Sequence, residues 1–172
     1  MPVLITPRLN CSPLQEEDWP FFLALQQHPD VMRFVAEDRP VAAIREAFDS
    51  RLTPWTPGSA HWLCLVVRDA ASRAPLGVTG YIHREEDCAE VGFLFAPEAQ
   101  GKGYGFESLK ALCDYAFHQG GIRRLTATVT AGNIASRRLL EKARFCLEGE
   151  LRESYYLCLL YTSDAADDMQ CV

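Results

Sequence analysis

Apolar positions along the chain fall first at helical and then at strand spacing. Segments 16–27 (EEDWPFFLALQQ) and 41–52 (VAAIREAFDSRL) predict two short amphipathic helices, the first opened by acidic residues that suit the positive end of a helix dipole. The Pro- and Gly-containing stretch 53–59 ends that pattern. Segment 61–68 (HWLCLVVR) is a continuous apolar run of strand-favouring residues; 76–83 (LGVTGYIH) follows it after the turn-like 69–75, and the two read as a hairpin. Segment 88–95 (CAEVGFLF) is a third strand, closed by Pro97, which cannot donate to a ladder. Leu109, Leu112, Cys113, Ala116 and Phe117 then recur at i, i+3, i+4, i+7, i+8 and predict a helix that Gly120-Gly121 stops. Segment 124–130 (RLTATVT) alternates with period two, Asn133 suits the cap of a helix over 134–142, and 145–151 is one further strand. This order predicts an α+β, or mixed α/β, domain around one sheet.

Composition narrows the function classes. A chain of 172 residues with 48% hydrophobic and 23% charged side chains builds one domain with a sizeable core. The net charge of −6 leaves no overall electropositive field for nonspecific nucleic-acid or anionic-membrane binding. No run reaches the roughly 18–20 apolar residues a bilayer span needs, and MPVLITPRLNC has neither a basic nor an apolar leader region, so a soluble, cytoplasmic protein is expected. Seven cysteines, none in C-x-x-C spacing and several inside apolar runs, read as buried reduced thiols. The histidines have no ligand-like spacing, so no metal is expected.

The stretch from Glu90 to Gly105 (EVGFLFAPEAQGKGYG) carries the chemistry, because it runs a strand directly into a glycine-rich turn at the mouth of a helix. Gly101, Gly103 and Gly105 let the chain curl tightly, so a diphosphate can approach bare N–H groups and the positive end of the helix. A turn that merely joins strand to helix is the plain alternative. A P-loop needs G-x-x-x-x-G-K-[ST], whereas Gly105 precedes Phe106-Glu107; a Rossmann fingerprint needs G-x-G-x-x-G after a first strand. Neither spacing is present.

The segment resembles the acetyl-CoA signature of the GCN5-related N-acetyltransferase (GNAT) superfamily, Q/R-x-x-G-x-G/A, here Gln100-Gly101-Lys102-Gly103-Tyr104-Gly105. TPRL, EVGFLFAPEAQGKGYGFE, NIASRRLLEKARF and LEGELRESYY are together similar to the branch of RimJ/RimL-type ribosomal-protein N-terminal acetyltransferases, over residues 6–157 in order. The resemblance implies a mixed, mostly antiparallel sheet flanked by helices. Two of its strands, around 90–95 and 125–130, splay so that pantetheine completes the ladder. It implies main-chain contacts from Leu94 and Phe95, a diphosphate site over Gln100, Gly101, Lys102, Gly103, Tyr104 and Gly105, and outer phosphate contacts from Lys102, Arg137 and Arg138. Asn133 bonds pantetheine or simply caps its helix. Ser136 stands beside the thioester sulfur to stabilise the departing thiolate, since Leu140 occupies the position where many members carry a tyrosine. An attacking amine must lose a proton, for which Glu90 is the first candidate base and Glu153 the second; either is alternatively a surface carboxylate.

The implied activity is acetyl transfer from acetyl-CoA, a consumed cosubstrate, to a protein N-terminal α-amine or a small amine. Transfer would be by direct attack in a ternary complex, without metal, in a monomer or homodimer. A noncatalytic acyl-CoA-binding or sensor domain is the second reading, and a nucleotide-binding enzyme the third. Departures from the family pattern are Arg144 in place of its glycine, Ser12 in place of its arginine, and the C-terminal stretch 158–172 (CLLYTSDAADDMQCV). The domain is therefore expected over 1–157, with the last strand truncated or replaced. Residues 158–172 read as a disordered or non-native tail, and 157–161 serves at most briefly as a strand.

Overall fold

The computed structural model describes residues 2–35 and 39–161. Its eight strands are β1 (Leu4–Ile5), β2 (Leu9–Pro13), β3 (Leu63–Asp69), β4 (Pro75–Glu85), β5 (Cys88–Phe95), β6 (Arg124–Thr130), β7 (Cys146–Leu151) and β8 (Ser154–Leu160). They form one sheet in the order β1-β2-β3-β4-β5-β6-β8-β7. Every neighbouring pair is antiparallel except β5 with β6.

Strand alternation sends the apolar side chains of the sheet into two cores. Cys64, Val66 and Val78 pack with Phe22 and Leu25 of α1 (Trp19–Gln27), Val31 and Met32 of α2 (Pro29–Met32), and Ile44 and Phe48 of α3 (Val41–Leu52). Leu63, Leu65, Val67, Ala89 and Val91 face the other way, against Leu109, Leu112 and Ala116 of α4 (Tyr104–His118) and Leu140 of α5 (Ile134–Lys142). β3 is buried on both faces, which is why 63–67 shows an unbroken apolar run where a half-exposed strand would alternate. The first predicted helix breaks in two, a 3₁₀ turn at Glu16–Asp18 preceding α1, where Asp18 accepts from the Gln15 backbone amide at 2.8 Å.

Of the two outcomes expected for the last strand, truncated or replaced, truncation is not found. β8 pairs in register with the whole of β6, from Thr130↔Ser154 to Arg124↔Leu160, and Tyr161 continues with a bond from its amide to the Arg123 carbonyl at 2.8 Å. The boundary drawn after Leu157 thus falls inside a strand. Leu157 and Leu159 keep the period of two that turns them into the core, a signal too short to stand out beside the polar residues that follow. Residues 162–172, the rest of the expected tail, lie outside the described residues. Arg144 closes α5 with φ +76°, the left-handed conformation its family glycine would adopt more easily, at a cost of about 1 kcal/mol.

Five cysteines, Cys11, Cys64, Cys88, Cys113 and Cys158, are buried free thiols, whereas Cys146 is disulfide-bonded and half-buried, against the expectation of reduced thiols. Among the described residues no helix is long and apolar enough to cross a membrane, and no three His, Cys, Asp or Glu side chains gather as a metal site.

Candidate active site

β5 and β6 pair only at Cys88↔Arg124, Ala89↔Leu125 and Glu90↔Thr126. Beyond that point β5 runs on to Phe95 and β6 to Thr130 with no pairing between them, so the sheet opens into the expected cleft. Alternation decides which backbone groups face it. The Ala96 amide donates to the Leu76 carbonyl of β4, and a β-carbon on Gly77 of β4 would meet the Leu94 carbonyl at 2.4 Å. Leu94 therefore spends its peptide on β4, and the neighbouring Phe93 and Phe95 present theirs to the cleft. The backbone of Leu94, expected as a main-chain contact, thus faces β4, while the peptides of Phe93 and Phe95 face the cleft, which Leu94 also lines.

At the end of β5 a 3₁₀ turn, Pro97–Ala99, leads into the glycine loop. The Gln100 side-chain amide donates back to the Phe95 carbonyl at 3.0 Å and fixes the exit of the strand. Gly101 and Gly103 hold φ of +76° and +84°, and Gly103 is the N-cap of α4 without a side-chain bond to its first amides. Those amides are left for a ligand. Gly105 is small for another reason: a β-carbon there would meet the Leu139 side chain at 3.0 Å.

The loop is braced from the far edge of the sheet. Arg8 donates to the Lys102 carbonyl at 3.0 Å and to Glu107 Oε1 at 2.8 Å, and its guanidinium lies 4.6 Å from the centre of the Tyr104 ring. The other oxygen of Glu107 accepts from the Thr6 hydroxyl and from the Arg8 backbone amide. Burial pushes the Glu107 carboxyl up, but the bonds from Thr6 and Arg8 outweigh it and hold the group below the usual carboxylate range. Thr6 and Arg8 belong to the TPRL word and Glu107 follows the last glycine by two; the sequence carried these signals without showing that they meet.

Two cavities occupy the cleft, of about 720 and 480 Å³. The larger is lined by Phe95, Gln100, Gly101, Gly103, Tyr104, Gly105 and Arg138. Lys102, predicted beside them, gives its carbonyl to Arg8 and is absent from the lining, because the tight turn leaves its side chain in solvent. Arg137 is engaged with Glu141 at 3.6 Å and stacks on Tyr155. Lys142, not singled out in the sequence, lines the cavity with its ammonium 4.5 Å from the Phe106 ring. The smaller cavity is lined by Glu90, Trp62, Arg51, Arg39, Gln26, Thr128 and the buried Leu140, among others. Phe93, Leu94, Asn133 and Ser136 line both, so the two spaces meet there.

Asn133 Oδ1 accepts from the Ser136 amide at 3.2 Å and caps α5, which is one of the two roles expected of it. The Ser136 hydroxyl has no hydrogen-bond partner among the described residues. Glu90 is the sole carboxylate among the described residues of the smaller cavity, and Arg84 holds its Oε1 from outside at 2.9 and 3.0 Å. Glu153 sits in the exposed two-residue turn between β7 and β8 and lines neither cavity, since it is the Glu153 carbonyl that turns inward, accepting from the Ala131 amide at 2.8 Å.

The acetyltransferase (GNAT) domain model matches residues 8–146, a span that takes in β5, the glycine loop and α4. The chain belongs to the GNAT acetyltransferase family. It is 26% identical over 147 residues to the N-acetyltransferase YnaD of Bacillus subtilis, covering 85% of this chain and 84% of that one. Among solved structures, an acetyltransferase from Agrobacterium tumefaciens superposes with a TM-score of 0.81 at 23% identity, over 94% of this chain and 95% of that one. A spermidine N-acetyltransferase from Vibrio cholerae, solved with CoA and spermine, gives 0.78 at 21% identity, over 90% and 96%. The GNAT chain described here is thus an acetyltransferase dependent on acetyl-CoA, with the family's sheet and its flanking helices.

Proposed function

We propose that this GNAT chain acetylates a primary amine by direct attack on acetyl-CoA, the donor in the larger cavity and the amine in the smaller, without an acyl-enzyme. The observation that carries this reading is the meeting of the two cavities at Ser136 and Asn133. One opens on the bare amides of α4, the other on a carboxylate. The larger cavity falls inside the range of about 300–1,000 Å³ common for ligand sites, and a β-carbon at Gly101 would stand in open space. The Gly103–Gly105 amides, with Arg138 and Lys142, suit a diphosphate linker. The peptide edges of Phe93 and of the Phe95 N–H suit the amides of pantetheine, as an added strand would; the Phe95 carbonyl already accepts from Gln100.

A primary amine is largely protonated near neutral pH and must lose a proton to attack. Glu90, at the point where the strands part, is the acceptor for it, directly or through a water, and Arg84 holds its carboxylate in one orientation. Ser136 Oγ, uncommitted within the described residues, hydrogen-bonds the departing thiolate, whose charge also faces the positive end of α5. Leu140 is buried where other members carry a tyrosine, so no phenol competes for that role. The acceptor class follows the family: a protein N-terminal α-amine, as the RimJ/RimL-type words suggest, or a small amine. The test is release of CoA thiol from acetyl-CoA across a panel of amines and N-terminal peptides. Turnover with at least one acceptor is expected. Tight CoA binding with no release for any of them overturns the reading in favour of an acyl-CoA-binding domain.

A further inference from the structure

The partly buried arginines of the described chain almost all hold a carboxylate. Arg45 pairs with Glu16 and Asp49, Arg68 with Asp18, Arg124 with Glu148 and Arg137 with Glu141. Arg51, equally shielded at the end of α3, holds none. Its one hydrogen bond runs to the Ala47 carbonyl at 3.1 Å, one helical turn back, and its guanidinium lies 6.0 Å from the Phe22 ring and 5.8 Å from the Trp62 ring. It lines the smaller cavity together with a second guanidinium, Arg39, which donates to Gln26 Oε1. Burial pulls the Arg51 guanidinium below the usual arginine range, and the proximity of Arg39 adds to this. The nearby Cys64 thiol offers no counter-charge, because burial pushes it up to about 12 and leaves it neutral. The cavity's carboxylate, Glu90, already belongs to Arg84. Among the described residues neither guanidinium pairs with a carboxylate, and Arg51, partly buried beside the Phe22 and Trp62 rings, keeps desolvated donors open on the cavity until an anion arrives.

We propose that the smaller cavity takes an acceptor amine that carries a carboxylate on the same molecule, received by Arg51 and Arg39, and that it disfavours polyamines. This rests on the acetyl-transfer reading above and narrows its substrate class. The spacing is consistent with one molecule reaching both ends. Trp62 lies across Gly92, whose β-carbon would meet the Trp62 ring at 3.2 Å, and Gly92 is the next residue after Glu90 on the same face of β5, about 7 Å along the strand. An amine at the junction of the cavities and a carboxylate beside Trp62 are therefore separated by several bonds. That suits an ω-amino acid or a short peptide with an acidic side chain. Planar guanidinium groups pair with carboxylates in two parallel hydrogen bonds, which a carboxamide cannot reproduce.

Matched pairs read the preference and separate its two sources: 6-aminohexanoate against 6-aminohexanamide, and the peptide amide Ala-Asp against Ala-Asn, with spermidine as the polycation. CoA release should favour the acid of at least one pair by 10-fold or more in kcat/KM, chiefly through KM. Arg51→Gln should abolish the preference and Arg51→Lys should restore part of it, both with unchanged CoA affinity, since Arg51 lies outside the larger cavity. Equal use of acid and amide in both pairs, superior use of spermidine, or an undiminished preference in Arg51→Gln overturns the proposal. If no amine is turned over, the transfer reading fails by itself. Calorimetric titration of the same pairs into CoA-saturated protein then still decides whether the acid binds better and whether Arg51→Gln removes the difference.

Discussion

Replacement of Gly103 by valine tests the diphosphate site at its tightest point. Gly103 holds φ +84° and ψ 0°, a left-handed conformation that costs an L-residue about 1–2 kcal/mol, with β-branched side chains at the upper end. The added β-carbon would also stand 3.1 Å from Arg8 Nη2, so the guanidinium that holds Lys102 and Glu107 must shift. The loop then relaxes away from the geometry that aims the α4 amides into the cavity, and recovering that geometry on binding consumes the same free energy. A loss of about 1.4 kcal/mol corresponds to a 10-fold weaker complex, so the dissociation constant of CoA should rise at least ~10-fold. Gly121 provides the control. It has φ +73°, its β-carbon would meet nothing within 4 Å, and it lines neither cavity. Gly121→Ala should lower stability by about 1 kcal/mol, a fall of ~2–4 °C in melting temperature for a domain of this size, and leave CoA affinity unchanged. Titration calorimetry with CoA and thermal melts of the two variants give the comparison. A folded Gly103→Val protein that binds CoA as tightly as Gly121→Ala does would refute the placement of the diphosphate at this loop.

Other expectations concern chemistry, coupling and core. Ser136→Ala should reduce kcat by ~10²–10³-fold with little change in CoA affinity, as the loss of one donor to a developing anion does, read by steady-state kinetics beside CoA titration. Glu90→Gln should lower kcat/KM by ~10²-fold or more with little change in CoA affinity; a variant that turns over as fast as the wild type would remove Glu90 as the proton acceptor. Glu107 is held below its unfolded carboxyl value of about 4.3, so its contribution to stability is complete above that value and lost as pH falls through the folded one. The melting-temperature difference between wild type and Glu107→Gln should accordingly be constant above about pH 5 and shrink in acid below about pH 4. Leu112→Ala, at a side chain with 0% exposure under α4, should cost about 2–5 kcal/mol in denaturant unfolding.

What the sequence revealed follows from how local each signal is. The strands 88–95 and 124–130, the helix after the glycines and the cap at Asn133 depend on neighbours a few residues apart, and each lies within a residue or two of its expected place. The glycine loop was equally legible, because positive φ at Gly101 and Gly103 is a local demand. Pairings between distant segments were not. Nothing near Arg8 signals that it reaches Lys102 and Glu107, and nothing in the run HWLCLVV shows that Trp62 covers Gly92. Nor was the edge that the Leu94 and Phe93 peptides face, because a one-residue shift in strand phase turns every backbone group to the opposite edge, and phase is fixed by pairing with β4 rather than by the residues themselves. The last strand was underestimated because Leu157 and Leu159 stand alone as inward positions before a polar stretch.

The location of the cleft is itself a consequence of the one parallel pairing. To lay β6 alongside β5 in the same direction, the chain must return to the start of the sheet through a crossover, and α4 is that crossover. A crossover helix begins where its preceding strand ends, so the N-terminus of α4 opens at the end of β5. Because β6 runs parallel to β5, it ends on the same side, and α5, capped by Asn133, begins there too. Two positive helix ends therefore flank the gap where the strands part. In the proposed reaction one meets the fixed charge of a diphosphate, the other the charge that develops on a departing sulfur. An antiparallel β5–β6 hairpin would need only a short turn, would bring no helix to this edge, and would leave no gap for a donor to fill.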